Sequence, residues 1–170
     1  AKDPEIDALA RQMSWPGIHA DTHARISAEG RYKGKHDVHH TGFKYNGNSI
    51  MAAMALVSLR HLDAHNARRR QIAAWYDAEL AGNAGATPVP VSPGCASSRH
   101  LYQVTVVGRD DMLLALADCG ISAGVHYRSN ADYPMYAKFR GKLPRAEHFS
   151  ARVLSLPMHL GMQRSDTARV

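Results

Sequence analysis

Histidines near the start of the chain are the first residues whose type suggests chemistry, because neutral imidazole is the commonest metal ligand in proteins. His19, His23, His36, His39 and His40 fall in one stretch of the sequence. Their spacing does not follow a standard zinc pattern, and no cysteine lies among them. The sequence therefore favours structural or solvated histidines, with a metal site as the less favoured alternative.

Positive charge is the second chemical feature. The chain carries 21 lysines and arginines against 15 acidic residues, a formal net charge of +6. Such a field attracts nucleotides, phosphates and acidic surfaces without choosing among them. The dense run Arg68–Arg70 lies in a helical pattern, where successive side chains point in different directions. With no recognisable motif, a nucleic-acid-binding module is a less favoured reading than a small anionic ligand.

Composition indicates a globular protein with a core of its own. Hydrophobic residues make up 45% of the 170 residues and charged residues 21%, which is ordinary for such proteins. No run approaches the ~20 apolar residues that span a bilayer. The first residues carry charges where a secretory signal is apolar, which predicts a cytoplasmic location. Cys95 and Cys119 lack the spacing of a disulfide framework or a zinc site.

The first part of the chain reads as helix, arm and long helix. Asp3-Pro4-Glu5 is typical of a helix start, and Trp15-Pro16-Gly17 predicts its end. Residues 18–45 are predicted to be an extended arm. A helical pattern runs from Ser49 to Leu80, with Asn48 as its cap and Gly82 as a left-handed stop.

That second helix is too long for a small domain to use unbroken. A straight helix over residues 49–80 would extend about 48 Å. We therefore predict a bend or break near Asp63 to Asn66.

The rest of the chain predicts a small sheet. Residues 83–98 are rich in Gly, Pro, Ser and Ala, which is typical of a linker. After it the patterns predict strands at 101–107, 121–127 and 153–156, and helices at 109–118, 144–151 and from Ser165. The predicted fold class is α+β, a long helix and extended arm followed by a small sheet with helices on one face. The predicted segments are an interdomain or dimer region at 1–82, the linker, and a small C-terminal domain at 99–170.

An ordered series of short motifs runs through the whole chain. It begins with Gly17-Ile18, Asp21-Thr22 and Arg25, and continues with Gly42-Phe43-Lys44-Tyr45-Asn46, Leu62-Asp63, Asn66 to Arg70, His100-Leu101-Tyr102, Gly124-Val125-His126-Tyr127, Pro134-Met135-Tyr136, Pro144 to Glu147 and Leu154 to His159. In this order the motifs resemble the DegT/DnrJ/StrS sugar aminotransferases. The resemblance implies the C-terminal part of the aspartate-aminotransferase-like fold that binds pyridoxal phosphate (PLP).

The resemblance also implies what this sequence lacks. In the family, PLP is held covalently by a lysine in an SxHxxK segment followed by a glycine-rich turn. The lysines here, Lys2, Lys33, Lys35, Lys44, Lys138 and Lys142, have no such context. Because PLP-dependent transamination needs that amine, we expect no catalytic residue in this chain, no PLP bound by it alone and no transamination by it alone. PLP is expected only for the intact family enzyme.

Five binding residues are implied by the resemblance. Asn46 would reach across a dimer interface to the phosphate of the partner's PLP, or would merely cap or turn the chain. Arg31 and Lys44 would lie near the substrate diphosphate, or in a solvated loop. His100 and His126 would touch the sugar or its amine, or serve as structural histidines.

Partners are implied in the same way. The resemblance implies a homodimer and a nucleotide-sugar substrate for the intact enzyme, and it allows a separately encoded N-terminal PLP domain. The rival interpretation is a non-catalytic dimerising or interaction protein, either a remnant or one half of a split enzyme. Gly47, Met51 and Ser58 depart from the usual family residues. The run Arg128–Ala131 departs as well, which puts sugar contacts at that run in doubt.

Overall fold

The computed structural model describes residues 2–18, 38 and 40–170 of the chain. These fall into two compact units, Ala1–Leu59 and Arg60–Val170. The first unit contains helix α1 (Pro4–Ser14) and helix α2 (Ser49–Arg60). The second contains α3 (Leu62–Glu79), β1 (Ala86–Pro88), β2 (Tyr102–Val106), α4 (Arg109–Asp118), α5 (Pro144–Ser150), β3 (Val153–Leu156) and α6 (Arg164–Arg169), with short 3₁₀ helices at Asn130–Asp132 and Pro134–Phe139.

Helix α1 begins where the sequence predicts. The Asp3 carboxylate accepts hydrogen bonds from the backbone N–H groups of Glu5 at 2.9 Å and Ile6 at 3.3 Å. Two carbonyls at the other end of α1 are taken by a later segment, since the N–H of Phe43 donates to Met13 at 2.7 Å and that of Tyr45 to Ser14 at 3.0 Å. Residues 43–45 are therefore fastened to the end of α1 by backbone hydrogen bonds.

Two glycines make this attachment possible. Gly17 has φ +77°, and a Cβ on it would lie 1.9 Å from the carbonyl oxygen of His40. A Cβ on Gly42 would lie 2.1 Å from the backbone nitrogen of Gly17. Real Cβ atoms do not approach other atoms so closely, so only glycine lets the two backbone segments meet here.

The predicted long helix is broken, two residues before the predicted stretch. Helix α2 ends at Arg60 and α3 begins at Leu62, with His61 (φ −104°, ψ 1°) between them. The break does not fall within Asp63 to Asn66, because the N–H of His65 already donates to the His61 carbonyl at 2.9 Å in a regular turn. Asp63 instead lies in the first turn of α3, where an acidic side chain suits the positive helix end.

The caps predicted for this region are confirmed. The Asn48 side chain accepts a hydrogen bond from the N–H of Met51 at 2.9 Å, at the start of α2. Gly82 follows α3 with φ +77°, the left-handed conformation predicted for the stop.

The second unit is built on a three-stranded antiparallel sheet in the order β1-β2-β3. One face of the sheet packs against α3 to form the core, whose buried members are Ile72, Ala73, Tyr76, Tyr102, Val104, Val106, Leu154, Leu156 and Met162. Leu113 and Leu116 of α4 pack on the same core. The predicted α+β class, with helices on one face of a small sheet, is confirmed.

Two predicted elements differ in the structure. Residues 121–127 were predicted to form a strand but make only one bridge, between Gly124 and Ser155. Their partner β3 is four residues long and is followed by Pro157, which has no N–H to continue a ladder.

The other difference concerns residues 83–98. This predicted linker contains β1, which pairs with β2 from Ala86 opposite Val106 to Pro88 opposite Val104. Proline is tolerated there because β1 is an edge strand. The linker therefore belongs to the second compact unit. The predicted division of the chain into functional domains stays a prediction.

Buried tyrosines join α3 to the sheet. The rings of Tyr76 and Tyr102 stack with centroids 4.7 Å apart. The hydroxyl of Tyr102 donates to Asp77 Oδ1 at 2.6 Å, and that of Tyr76 to the carbonyl of Pro157 at 2.9 Å. Burial raises the pKa of Tyr76 to about 12. Burial, reinforced by the hydrogen bond to Asp77, raises the pKa of Tyr102 as well.

Arg68 of α3 makes polar contacts with the segment that precedes α6. Its guanidinium donates to the carbonyls of Leu160 at 3.3 Å and Met162 at 2.5 Å. It also lies 4.9 Å from the ring centroid of Trp75. The residues before α6 are thereby held to α3. No helix in the described part of the chain is long and apolar enough to cross a membrane.

The raised pKa of Tyr76 predicts a loss of stability in alkali. A tyrosine in the unfolded chain ionises near pH 10, whereas Tyr76 in the fold keeps its proton to about pH 12. Below pH 10 both states are protonated, so the loss begins only as the pH rises above that value. At pH 11 this residue should lower the free energy of unfolding by about 1.4 kcal/mol.

Urea unfolding of the 170-residue chain at about pH 9 and pH 11 measures this loss. Tyr76→Phe removes the ionising group while keeping the ring, so its stability should fall less over the same interval. An equal fall in the two proteins would contradict the prediction.

Candidate functional site

The turn from Gly42 to Asn46 carries two of the predicted binding residues. Lys44 is exposed, and its Nζ lies 3.3 Å from the centroid of the Trp15 ring. The rings of Phe43 and Tyr45 stack on each other at 5.1 Å. The backbone of this turn is hydrogen-bonded to α1, so its position is restrained. The Lys44 ammonium group therefore lies in a defined place, against the face of the Trp15 ring.

Asn46 lies at the end of this turn and is exposed. Its amide nitrogen is 3.5 Å from the carbonyl of Gly47, a long and weak contact. The cap of α2 is supplied by Asn48, so Asn46 is not needed for that purpose. An exposed amide donor next to the start of a helix suits an anionic oxygen.

The second unit carries the two predicted histidines. His126 is half-buried, and its Nδ1 lies 3.0 Å from the hydroxyl oxygen of Ser155. The side-chain amide of Gln103 donates to the carbonyl of His126. Gly124 pairs with Ser155 through two backbone hydrogen bonds, of 2.7 Å and 3.0 Å. His126 is therefore held to the sheet by its side chain and its backbone.

His100 occupies a different setting. It is exposed and lines an open cavity of about 330 Å³ together with Ser92, Ser97, Arg99 and Gln103. Arg99 has φ +51°, which is uncommon for a residue with a side chain. His100 and His126 thus belong to one compact unit, and Lys44 and Asn46 to the other. Arg31 lies outside the described residues.

Sequence reasoning gave no role to three residues around His126, namely Gln103, Gly124 and Ser155, although the last two fall within the motif series. A signal was present, because side chains alternate along a strand and Ser155 falls between Leu154 and Leu156 of β3. A serine on the face opposite two core leucines had to meet a polar partner. The hydrogen-bond partner of Ser155 depends on how distant segments pair, and no local sequence pattern predicts that pairing.

The lysines of the described residues lie apart from three cavities of the second unit, whose walls contain none of them. The Nζ of Lys138 lies 4.8 Å from the Phe139 ring centroid, and that of Lys44 lies against Trp15. Lys33 and Lys35 lie outside the described residues. That this chain alone binds no PLP stays a prediction.

Metal ligands do not converge in the part of the chain that the structure describes, where no group of three or more His, Cys, Asp or Glu side chains could hold an ion. His19, His23, His36 and His39 lie outside that part, so the predicted preference against a metal site among them stays a prediction.

Comparison with known proteins shows which family the chain resembles in sequence and in fold. Over residues 1–170 the sequence matches the DegT/DnrJ/EryC1/StrS aminotransferase family. The fold is similar to the aminotransferase TlmJ from Streptoalloteichus hindustanus, with 28% identity and a TM-score of 0.82, over 99% of this chain and 43% of that one. Sugar aminotransferase CalS13 from Micromonospora echinospora gives 28% identity and a TM-score of 0.85, over 98% and 43%.

A third structure, S. venezuelae DesV in complex with a ketimine intermediate, is 30% identical with a TM-score of 0.83, over 98% of this chain and 42% of that one. This chain therefore spans less than half the length of the solved structures that it resembles. With the match extending over all 170 residues, the chain belongs to the DegT/DnrJ/EryC1/StrS aminotransferase family.

Proposed function

We propose that this chain is the C-terminal, ligand-contacting part of a PLP-dependent aminotransferase that acts on nucleotide-linked keto sugars, and that it does not transaminate alone. The observation that carries the proposal is the family match along all 170 residues. One of the similar structures, CalS13, is a sugar aminotransferase. One similar protein, Spr1654 from Streptococcus pneumoniae, has been solved in PLP and PMP forms at 25% and 26% identity.

When bound, PLP supplies the electron sink for moving the amino group. The proposed part of this chain is to bind and orient. Asn46 would donate its amide to the cofactor phosphate of a dimer partner. The exposed amide and the backbone-anchored turn support this assignment, because a neutral donor on a rigid turn can replace the water that a phosphate oxygen loses.

Lys44 and Arg31 would pair with the diphosphate of the nucleotide sugar. The geometry of Lys44 supports this role, since it is exposed, lies against Trp15 and has no carboxylate partner among the described residues. A diphosphate leaving water needs charged donors to replace its hydration. His100 and His126 would contact the sugar from the second unit.

A homodimer is the proposed assembly, and the cytoplasm its proposed location. Helix α2 has no buried residue. Its large apolar side chains Ile50, Met51, Met54, Leu56, Val57 and Leu59 are each more than half exposed. Exposed apolar side chains in this number favour burial against another protein surface.

The same surface favours the second candidate, a non-catalytic dimerising or interaction protein that is a remnant or one half of a split enzyme. One observation distinguishes the aminotransferase from the non-catalytic protein. A lysine-bearing PLP domain that is encoded next to this segment, or that copurifies with it, supports the enzyme.

PLP added to the 170-residue chain should remain unbound at stoichiometric concentration. The chain has no lysine in a cofactor-binding context, so the visible absorption of lysine-bound PLP should not develop. Titration followed by absorption spectroscopy and borohydride trapping measures this. A saturable, one-to-one adduct that a single Lys→Ala substitution abolishes would contradict the proposed incompetence of the chain.

Self-association through α2 should appear in sedimentation experiments at tens of micromolar. We expect a dimer, and we expect Leu56→Asp to shift it towards monomer because a charge at an apolar interface is costly to desolvate. Leu114→Asp on α4 is a matched control, since Leu114 is 64% exposed and Leu56 61% exposed. Dissociation by both variants alike, or a wild-type monomer, would refute an interface on α2.

Distinct kinetic effects are expected in the enzyme that contains this segment together with a lysine-bearing domain. Asn46→Ala should mainly weaken PLP retention. Lys44→Ala and Arg31→Ala should raise KM for the nucleotide sugar by about tenfold with a smaller effect on kcat, as loss of a charge-assisted contact to bound substrate does.

Lys142→Ala, at an exposed lysine of the second unit, is the control and should change neither constant. The roles are wrongly assigned if Asn46→Ala leaves PLP affinity intact while Lys44→Ala abolishes kcat at saturating substrate.

A further inference from the structure

The face of the sheet opposite the core carries a polar arrangement that converges on His126. Gln103 of β2 and Ser155 of β3 are register partners, so their side chains project side by side. Gln103 donates its amide to the His126 carbonyl, and the Ser155 hydroxyl meets Nδ1 of the same residue at 3.0 Å. Two neighbouring side chains of the sheet thus hold both the backbone and the ring of one histidine.

The ring itself is restrained on further sides. A Cβ on Gly124 would lie 3.0 Å from Cε1 and 3.6 Å from Nδ1 of His126, so the imidazole packs directly over that glycine. The Tyr127 ring meets it edge-on, with centroids 5.0 Å apart and planes at 85°. The orientation of the imidazole is therefore fixed by packing as well as by the hydrogen bond.

The Ser155 hydroxyl decides which ring nitrogen carries the proton. Ser155 is only 4% exposed, and within the described residues His126 Nδ1 is the only hydrogen-bond partner of its Oγ. A buried hydroxyl hydrogen needs an acceptor, and an unsatisfied donor is rarer in proteins than an acceptor with a spare lone pair. The hydroxyl therefore donates to Nδ1, which places the proton of the neutral ring on Nε2.

We infer that Ser155 is a positioning residue that holds Nδ1 of His126 as a hydrogen-bond acceptor, with Nε2–H directed to an oxygen of the ligand. Nε2 has no hydrogen-bond partner among the described residues, and His126 is partly exposed. The ligand class, a hydroxyl or keto oxygen of a nucleotide-linked sugar, rests on the proposed function. The arrangement of the ring and its proton does not.

Nitrogen-15 NMR of the histidine rings in the 170-residue chain tests the arrangement by itself, at a pH where the ring is neutral. The His126 signals are assigned by their loss in His126→Gln. We expect the proton on Nε2 and the Nδ1 shift of a hydrogen-bonded acceptor. Ser155→Ala should move Nδ1 to the shift of a free acceptor, and Ser155→Thr, which keeps the hydroxyl, should restore it. A proton on Nδ1, or an Nδ1 shift that Ser155→Ala leaves unchanged, overturns the inference.

Kinetics in the enzyme that contains the lysine-bearing domain test the role in binding. Ser155→Ala should raise KM for the nucleotide sugar by about 3–10-fold, the effect of one neutral hydrogen bond, with kcat little changed. Ser155→Thr should recover the wild-type KM. Gly124→Ala, whose added methyl displaces the ring while leaving Ser155 in place, should raise KM as well.

The two experiments separate the possible failures. Unchanged KM in Ser155→Ala, in an enzyme that aminates nucleotide sugars, overturns the positioning role and leaves the proposed function standing. Absence of any aminotransferase activity in the wild-type enzyme overturns the proposed function, while the NMR result still decides whether Ser155 holds the ring.

Discussion

The contact between Tyr76 and Tyr102 is the interaction on which the second unit depends. The two rings stack at 4.7 Å, and each hydroxyl is used, one on Asp77 and the other on the carbonyl of Pro157. This contact therefore connects α3, β2 and the end of β3. Two nearly inaccessible phenols bury large apolar rings and still satisfy their polar ends. With the core face fixed in this way, the opposite face of the same strands is free to hold His126.

Much of this fold could be predicted from local sequence. Asp3, Asn48 and Gly82 act as predicted because caps and stops depend on a few adjacent residues. The prediction of a strand at 121–127 failed because a strand depends on the partner that its segment pairs with. Residues 121–127 find a partner of four residues that ends at a proline, and residues 83–98 find an open edge of β2 that no composition reveals.

The candidate site shows the same difference between features that local sequence predicts and features that depend on distant segments. Lys44, Asn46, His100 and His126 were predicted as binding residues through an ordered family resemblance, and those roles stay predictions. Gln103 and Ser155 were given no role, although Ser155 falls within the motif from Leu154 to His159. Their contacts to His126 follow from their standing opposite each other in the sheet register, which no local motif describes.

The glycine contact at the end of α1 has a consequence for which positions of the turn tolerate substitution. Because Gly17 and Gly42 bring two stretches of main chain together, backbone contacts constrain the path of the turn from Gly42 to Asn46. A substitution at positions 43–46 can replace a side chain while these backbone contacts persist. A side chain at either glycine would collide with main-chain atoms and separate the two stretches.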